Sequence, residues 1–234
     1  MSRNGVIYCT FFDRKYLLKG LALHTSLTRY NTSAELWIVA LDKYTLGVLK
    51  KLNLKGVKVV PLDEFEDPEL LAVKKTRNKV EYIWTCTPSL PLYIFRELPK
   101  TKYVCYLDAD LYFYSSPEDA ISEIGNKSVL VVPHRFSKRS EKEARIFGHF
   151  NVGFNIFKND KTGRKCLRRW RKQCLNDCSY KPQAGKIGDQ FYLNEWPGLY
   201  NNCLVISQNK GIDLALWNVS QFRVFFKRKR YFYR

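Results

Sequence analysis

The stretch KYVCYLDADLYFYSSPED, residues 102–119, sets two aspartates one residue apart directly behind a five-residue apolar run. The architecture follows from it. YVCYL has the length and β-branched/aromatic content of a buried strand, and in open α/β sheets ligands collect outside the carboxyl ends of the strands. Asp108 and Asp110 fall at that edge, and residues i and i+2 leave a strand on the same face. Two converging carboxylates repel, and a divalent cation relieves the repulsion. Mg²⁺ or Mn²⁺ takes one or two carboxylates and fills its other positions with water and phosphate oxygens. The plain alternative is a pair of turn acids capping the next helix, but Ser116, Pro117 and Asp119 already supply that cap.

Around this stretch, strand-like and helix-like segments alternate. GVIYCTFF (5–12), ELWIVALD (35–42) and VKVVPLDEF (57–65) read as strands. KYLLKGLALHTSLTRY (15–30) and YTLGVLKKLNL (44–54) read as the helices between them. This β-α-β-α-β order predicts a parallel sheet covered on both faces. SLPLYIFREL (89–98) leads into the aspartate strand, followed by SVLVVPHRF (128–136), a charged helix over 138–146 and FNVGFNIF (150–157). A basic helix, IGDQFYLNEW (187–196) as a helix opened by Asp189 and Gln190, and NCLVISQ (202–208) complete the order. With no linker or repeat, the 234 residues predict one α/β domain, its nucleotide-binding half about 1–115 and its acceptor half about 116–234.

Forty basic against 22 acidic residues give a formal charge of +18, a surface that attracts polyanions. The run RKCLRRWRK (164–172) reads as the solvated face of a helix. The end, FRVFFKRKRYFYR (222–234), mixes aromatics with four consecutive cations, so peripheral contact with an anionic membrane through 223–234 is set against a plain terminal strand with a charged tail. No apolar run is long enough to span a membrane, and MSRNGVIYCTFFDRK meets a charge too soon for a secretory leader. Seven scattered cysteines do not form a disulfide framework, so a cytoplasmic protein is expected, peripheral at most at the inner membrane face.

YLDADLYFYSSPED resembles the D-x-D segment of GT-A glycosyltransferases, especially family 8 and related nucleotide-diphospho-sugar transferases. Further segments agree in order: LALHTSLTRYN (21–31) with ELWIVALD, EYIWTCTPSLPLYIFRELP (81–99), FNVGFNIFKND (150–160) as the N-x-G-x-x strand, and IGDQFYLNEW as the D-Q-x-x-L-N element. GIDLALWNV (211–219) is similar to a later G-x-N-x-A-x-W-N element, with Asp213 in place of Asn and Leu216 in place of Pro. The resemblance implies a single GT-A (Rossmann-like) domain with a mostly parallel sheet flanked by helices. It also implies transfer of a sugar, with retention, from a nucleoside-diphosphate sugar (a UDP-sugar favoured) to a hydroxyl of a glycan or lipid-linked acceptor.

By the same resemblance Thr10, Phe11, Asp13 and Tyr16 hold the nucleoside, with Asp13 as helix N-cap the alternative. Asp108 and Ala109 meet the nucleotide, and Asp108 and Asp110 hold Mn²⁺ or Mg²⁺. Lys79 and Arg77 add positive charge at the diphosphate, unless they are ordinary solvated cations. Asn151, Gly153 and Asn155, at spacing two, offer one strand face to sugar hydroxyls, with a bulged edge strand as the alternative. Asp189 meets the donor sugar and Gln190 the anomeric carbon; Asp189 as a base would instead imply inversion. Trp217 and Asn218 close the site. Family 8 enzymes commonly add a C-terminal histidine to the metal, but His24, His134 and His149 all precede the D-Q element. Water or another oxygen is then expected in its place, or a shortened C-terminus. The competing readings are a degenerate partner subunit and a basic nucleic-acid-binding module. The second lacks any helix-turn-helix, zinc or RNP signature, so no nucleic acid partner is expected. A haloacid-dehalogenase-like phosphotransferase also places D-x-D after a strand, but bulky Leu111, Tyr112 and Phe113 follow here.

Overall fold

In the computed structural model, which describes residues 5–181, 186–227 and 230–233, the first half of the chain alternates strand and helix as its hydrophobic periodicity dictates. Strand β1 (Val6–Phe12) leads to α1 (Leu17–Tyr30), β2 (Glu35–Ala40), α2 (Lys43–Leu52) and β3 (Val57–Pro61). Helix α2 starts where Asp42 accepts the Thr45 N–H at 2.7 Å and stops at Asn53, whose φ of 43° is left-handed. Four short helices follow, α3 (Leu62–Phe65), α4 (Pro68–Lys74), α5 (Lys79–Cys86) and α6 (Ser89–Glu97), before β4 (Tyr103–Leu107). The second half holds α7 (Glu118–Ser122), β5 (Val129–Pro133), α8 (Ala144–Phe147), β6 (Phe150–Lys158) and α9 (Lys161–Asn176). Next come β7 (Tyr180–Lys181), β8 (Lys186–Ile187), α10 (Trp196–Tyr200) and β9 (Leu204–Ile206). A hairpin of β10 (Val224–Lys227) and β11 (Arg230–Tyr233) ends the described chain.

Seven strands form one sheet in the order β3-β2-β1-β4-β6-β5-β9. Six share a direction and β6 opposes both neighbours. The fold is thus α/β with a mostly parallel sheet, as the alternation predicts. Each face is buried. In β4, Val104 and Tyr106 join a core with α6, α9 and α10, whereas Tyr103, Cys105 and Leu107 join one with α1, α2 and α7. That is the period-two alternation of a strand covered on both sides.

The first core centres on two tryptophans. Trp170 and Trp196 are fully buried, edge to face at 5.4 Å, and Phe157 packs against both. Helix α9 can press this close because Gly163 sits where a Cβ would lie 2.2 Å from the Lys158 carbonyl oxygen. Most of its cations face outward, as the sequence predicts for 164–172, but Arg171 is largely covered, paired with Asp67 and Glu69 and donating to Ser89, while Cys166, Leu167, Trp170 and Cys174 face in.

Two expectations change. The charged segment 138–146 forms only a 3₁₀ turn at Glu141–Glu143 and the single turn of α8, neither with a buried residue. Without an apolar face to bury, a helix has nothing to offset its nucleation cost. Residues 190–195 likewise form a 3₁₀ helix rather than an α-helix. Among the described residues no helix is long and apolar enough to cross a membrane. The membrane contact expected of 223–234 falls largely on side chains outside the described residues.

Trp170→Ala is expected to lower the unfolding free energy by about 3–5 kcal/mol, the usual scale for deleting a buried aromatic ring. A urea unfolding curve measures this as a lower midpoint, and an unmoved midpoint would count against the tryptophan pair as the centre of the core.

Candidate active site

Strand order reverses at β1. From there the chain winds outward to β2 and β3 on one side and continues to β4 on the other. The carboxyl ends of β1 and β4 therefore flank the crevice where α/β sheets bind ligands. Because β6 runs antiparallel, its N-terminal residues arrive at the same edge, and Leu107 pairs with Phe154.

The Asp108 N–H donates to the Gly153 carbonyl at 2.9 Å, extending the ladder past the end of β4. Asp108 Oδ1 accepts from the Tyr106 hydroxyl at 3.0 Å. Burial, with the Asp110 charge beside it, pushes the Asp108 carboxyl up to about 6 although Tyr106 acts against this. Asp110 is exposed and turned toward Lys19 Nζ at 3.3 Å. The two acids of the motif thus differ, Asp108 half-buried and held by Tyr106, Asp110 exposed at the rim. Ala109 is buried against the second core.

Strand β6 is bulged where it reaches this edge. Its pairing with β5 shifts register between Leu130 and Val132. Asn151 Oδ1 accepts the Gly153 N–H at 2.5 Å, and Asn155 Nδ2 donates to the Val152 carbonyl at 2.8 Å. These amides replace ladder bonds that the bulge removes. A bulge is therefore present, but in a strand between two neighbours rather than at an edge, and the expected single face of Asn151, Gly153 and Asn155 is broken by it. Gly153 is the position that matters. A Cβ there would stand 3.0 Å from Asn151 Oδ1, 3.4 Å from Asp213 Oδ1 and 3.5 Å from Asp108 Oδ2. A side chain would fill the space on which these groups converge.

Asp189 lies buried beneath the same cleft. Asp189 occupies the N-cap position of the 3₁₀ helix without a capping hydrogen bond from its side chain, while its own and the Gln190 amides favour its carboxylate. Burial pushes its carboxyl up to about 7, with Thr87 pulling the other way and the Asp108 charge adding to the rise. Its position is fixed from both sides. Trp170 Nε1 donates to the Asp189 carbonyl at 2.9 Å, and Gly188 turns with a φ of 62° against the Trp84 ring. Gln190 follows as the first 3₁₀ residue.

At the end of β1, Thr10 is buried and its hydroxyl has no partner among the described residues. Phe11 is core, its ring centroid 5.7 Å from that of Tyr106. Asp13 accepts the Lys15 N–H at 2.9 Å and an ion pair from Lys79. Burial would raise its carboxyl, but Lys79 and the Lys15 and Tyr16 amides outweigh burial and hold it low. Asp13 closes the turn before α1, whose N-cap residue is Tyr16. The capping box of Asn78 and Glu81 fixes the start of α5 and hence Lys79. Tyr16 is exposed, with Lys19 Nζ 4.4 Å from its ring centre.

Two expected site residues have other work. Arg77 donates to the Cys174 and Leu175 carbonyls at 2.6 Å each, caps the last turn of α9, and does not face the cleft. Asn218 is buried, its Nδ2 donating to the His134 carbonyl at 2.9 Å and the Asp213 carbonyl at 3.0 Å. Its Oδ1 accepts the Ala215 N–H at 3.0 Å. It shapes the 213–218 turn instead of meeting a sugar. Trp217 sets its ring against His134 at 5.8 Å, edge to face.

Asp213 is the residue whose place the sequence did not reveal. Burial pushes its carboxyl up to about 7, and Asp108 and Asp110 add to this while Arg135 opposes it. The available signal was an acid where the resembling element carries Asn. Asp213 and Asp110 both line a cavity of about 500 Å³, together with Tyr112, Tyr114, Leu214 and Val219. Among the described residues no three His, Cys, Asp or Glu side chains already stand assembled around a common metal position. The donors are nonetheless suited to a hard cation: carboxylate oxygens, one of them buried and unpartnered on Asp213.

No protein-family model matches the chain. The uncharacterized protein YfnF of Bacillus subtilis (strain 168) is 33% identical over 220 residues, spanning 92% of this chain and 72% of YfnF. YfnD of the same organism is 28% identical over 219 residues, spanning 93% and 70%. Mouse xyloside xylosyltransferase 1 superposes with a TM-score of 0.55 at 15% identity, over 86% of this chain and 84% of that one. The galactosyltransferase LgtC, solved with donor and acceptor sugar analogs, gives 0.56 at 15% identity, over 86% and 72%. The fold is that of the GT-A glycosyltransferases.

Asn218→Ala is expected to destabilise the protein by about 1–3 kcal/mol, since it strands two buried carbonyls and an N–H. Amide hydrogen exchange across 209–218 should quicken, and exchange unchanged from wild type would show that the amide does not hold this turn.

Proposed function

We propose, from the premise that this chain belongs to the family of the Bacillus subtilis protein YfnF, that it is a divalent-metal-dependent glycosyltransferase. It transfers a sugar, with retention, from a nucleoside-diphosphate sugar to a hydroxyl of a glycan or lipid-linked acceptor, with a UDP-sugar as the favoured donor. The observation that carries this reading is the convergence of Asp108, the bulge at Gly153 and buried Asp189 on the crevice between β1 and β4.

In this reading the turn after β1 receives the nucleoside. Thr10 has a buried hydroxyl without a partner among the described residues, and Tyr16 offers an exposed ring on which a base can stack. Asp13, kept ionised by Lys79, accepts from the base or ribose. Asp108 and Asp110 hold Mn²⁺ or Mg²⁺, and the bound cation supplies Lewis-acid neutralisation of the departing diphosphate. Asp110 at the rim reaches the diphosphate side, and Asp108, held by Tyr106, presents its free oxygen inward. The missing side chain at Gly153 admits the donor sugar close to the backbone.

Asp189 takes hydroxyls of the donor sugar, and Gln190 lies toward the anomeric carbon. A carboxyl shielded from water forms stronger hydrogen bonds than an exposed one, which suits it to orienting a polyol. The acceptor enters from the cavity walled by Tyr112, Tyr114 and Leu214, whose rings and apolar edges match a sugar ring or a lipid-linked one. The +18 charge favours an acceptor carrying phosphate or acidic sugars.

Asp110→Asn is expected to abolish Mn²⁺-dependent binding of UDP while the circular dichroism spectrum stays that of the wild type. Calorimetry with UDP and with GDP, in Mn²⁺ and then in chelator, measures this, and equal binding by both proteins would refute the role given to the motif. Asp189→Asn should lower kcat by about 100-fold or more with KM little changed. NMR of the product anomer separates retention from inversion; an inverted product would make Asp189 a base instead.

A further inference from the structure

Asp213 stands far along the chain from the D-x-D pair, on a turn after β9, yet its Oδ1 and Asp108 Oδ2 come within 3.5 Å of one point above Gly153. Its other oxygen, Oδ2, is out of contact with solvent and has no hydrogen-bond partner among the described residues. Asp213 is half-buried, and the Arg135 charge favours its carboxylate, but a buried oxygen left without a partner beside another acid is still costly, and folding gains nothing by it. The turn is nevertheless built to hold it there. Asp213 holds a left-handed φ of 61°, and its own carbonyl is tied down by Asn218. The preceding loop is clamped by Arg135, which donates to the Ser207, Asn209 and Ile212 carbonyls at 2.9, 3.1 and 3.2 Å. Asn151 Oδ1, the other oxygen near that point, already accepts the Gly153 N–H.

Resting on the metal-dependent reading above, we propose that Asp213 is a third protein ligand of the cation held by Asp108 and Asp110. A cation between these acids turns their mutual repulsion into attraction and gives the unpartnered oxygen its partner. Three carboxylate oxygens leave positions open for water and the diphosphate, as a small hard cation requires. Asp110 completes the set by leaving Lys19. That exposed ion pair contributes little, and Asp110 and Asp213 already line the same cavity.

The test uses Mn²⁺ alone, counted free against bound by electron paramagnetic resonance, on the full chain and on Asp213→Asn, Asp213→Gly and Asp110→Asn. Asn and Gly both accept the left-handed backbone, so at least one folded variant lacking the carboxylate is available. Expected is a loss of Mn²⁺ affinity of about ten-fold or more in either Asp213 variant, by comparison with the losses known for outer-shell partners. The rise in melting temperature on adding Mn²⁺ should disappear with it. Metal-free Asp213→Asn should melt no lower than the wild type, because a carboxylate facing Asp108 and Asp110 is gone. Wild-type Mn²⁺ affinity in the Asp213 variants, with affinity lost in Asp110→Asn, overturns this inference and leaves the proposed function standing. Wild-type affinity in all the variants overturns both. Unchanged Mn²⁺ affinity with weakened UDP binding assigns Asp213 to the nucleotide or sugar and likewise overturns it.

Discussion

Acids shielded from water repel strongly, and this molecule gathers one buried and two half-buried carboxyls at its cleft. Asp108, Asp189 and Asp213 each have a carboxyl raised first by burial and then by an acidic neighbour. No surface arrangement would hold acids so close, because each would turn out to solvent. Here each is fixed by backbone anchored elsewhere: Asp108 by the ladder to Gly153, Asp189 by Trp170, Asp213 by Asn218. The site is a constraint imposed by the fold on side chains that would separate if free.

That explains the distribution of the aromatic core. Trp170 belongs at once to the packing of α9 on the sheet and to the placement of Asp189. Arg77 ties the far end of α9 to α5 through Thr85, and α5 begins with Lys79, the partner of Asp13. The turn after β1 and the Asp189 side of the cleft are thus coupled through one helix and its caps. The packing that stabilises the fold and the contacts that shape the cleft are made by the same residues.

Strand β6 has the other decisive role. Had it run parallel to β4, its bulge would have been delivered to the opposite edge of the sheet. Running against both neighbours, it brings Asn151 and Gly153 to the carboxyl end of β4. The two asparagines make the bulge tolerable in a strand with neighbours on both sides by supplying hydrogen bonds from their own side chains. The absent side chain of Gly153 leaves room for a ligand.

The α/β class, the strand that carries Asp108 and Asp110, and the alternation that covers both sheet faces are all legible in the order of residues alone. These depend on local periodicity, which the order of apolar residues states directly. The sequence also marked Asp189 and Gly153 as site candidates, through a resemblance in segment order. The packed fold alone settles that Arg77 and Asn218 are tied to backbone carbonyls, that 138–146 forms single turns instead of one charged helix, and that Asp213 stands beside Asp108. Each of those depends on partners far away in the chain, such as Cys174 for Arg77 and His134 for Asn218. Side-chain type states what a residue can bond, but a contact between distant segments exists only once the sheet has set their register.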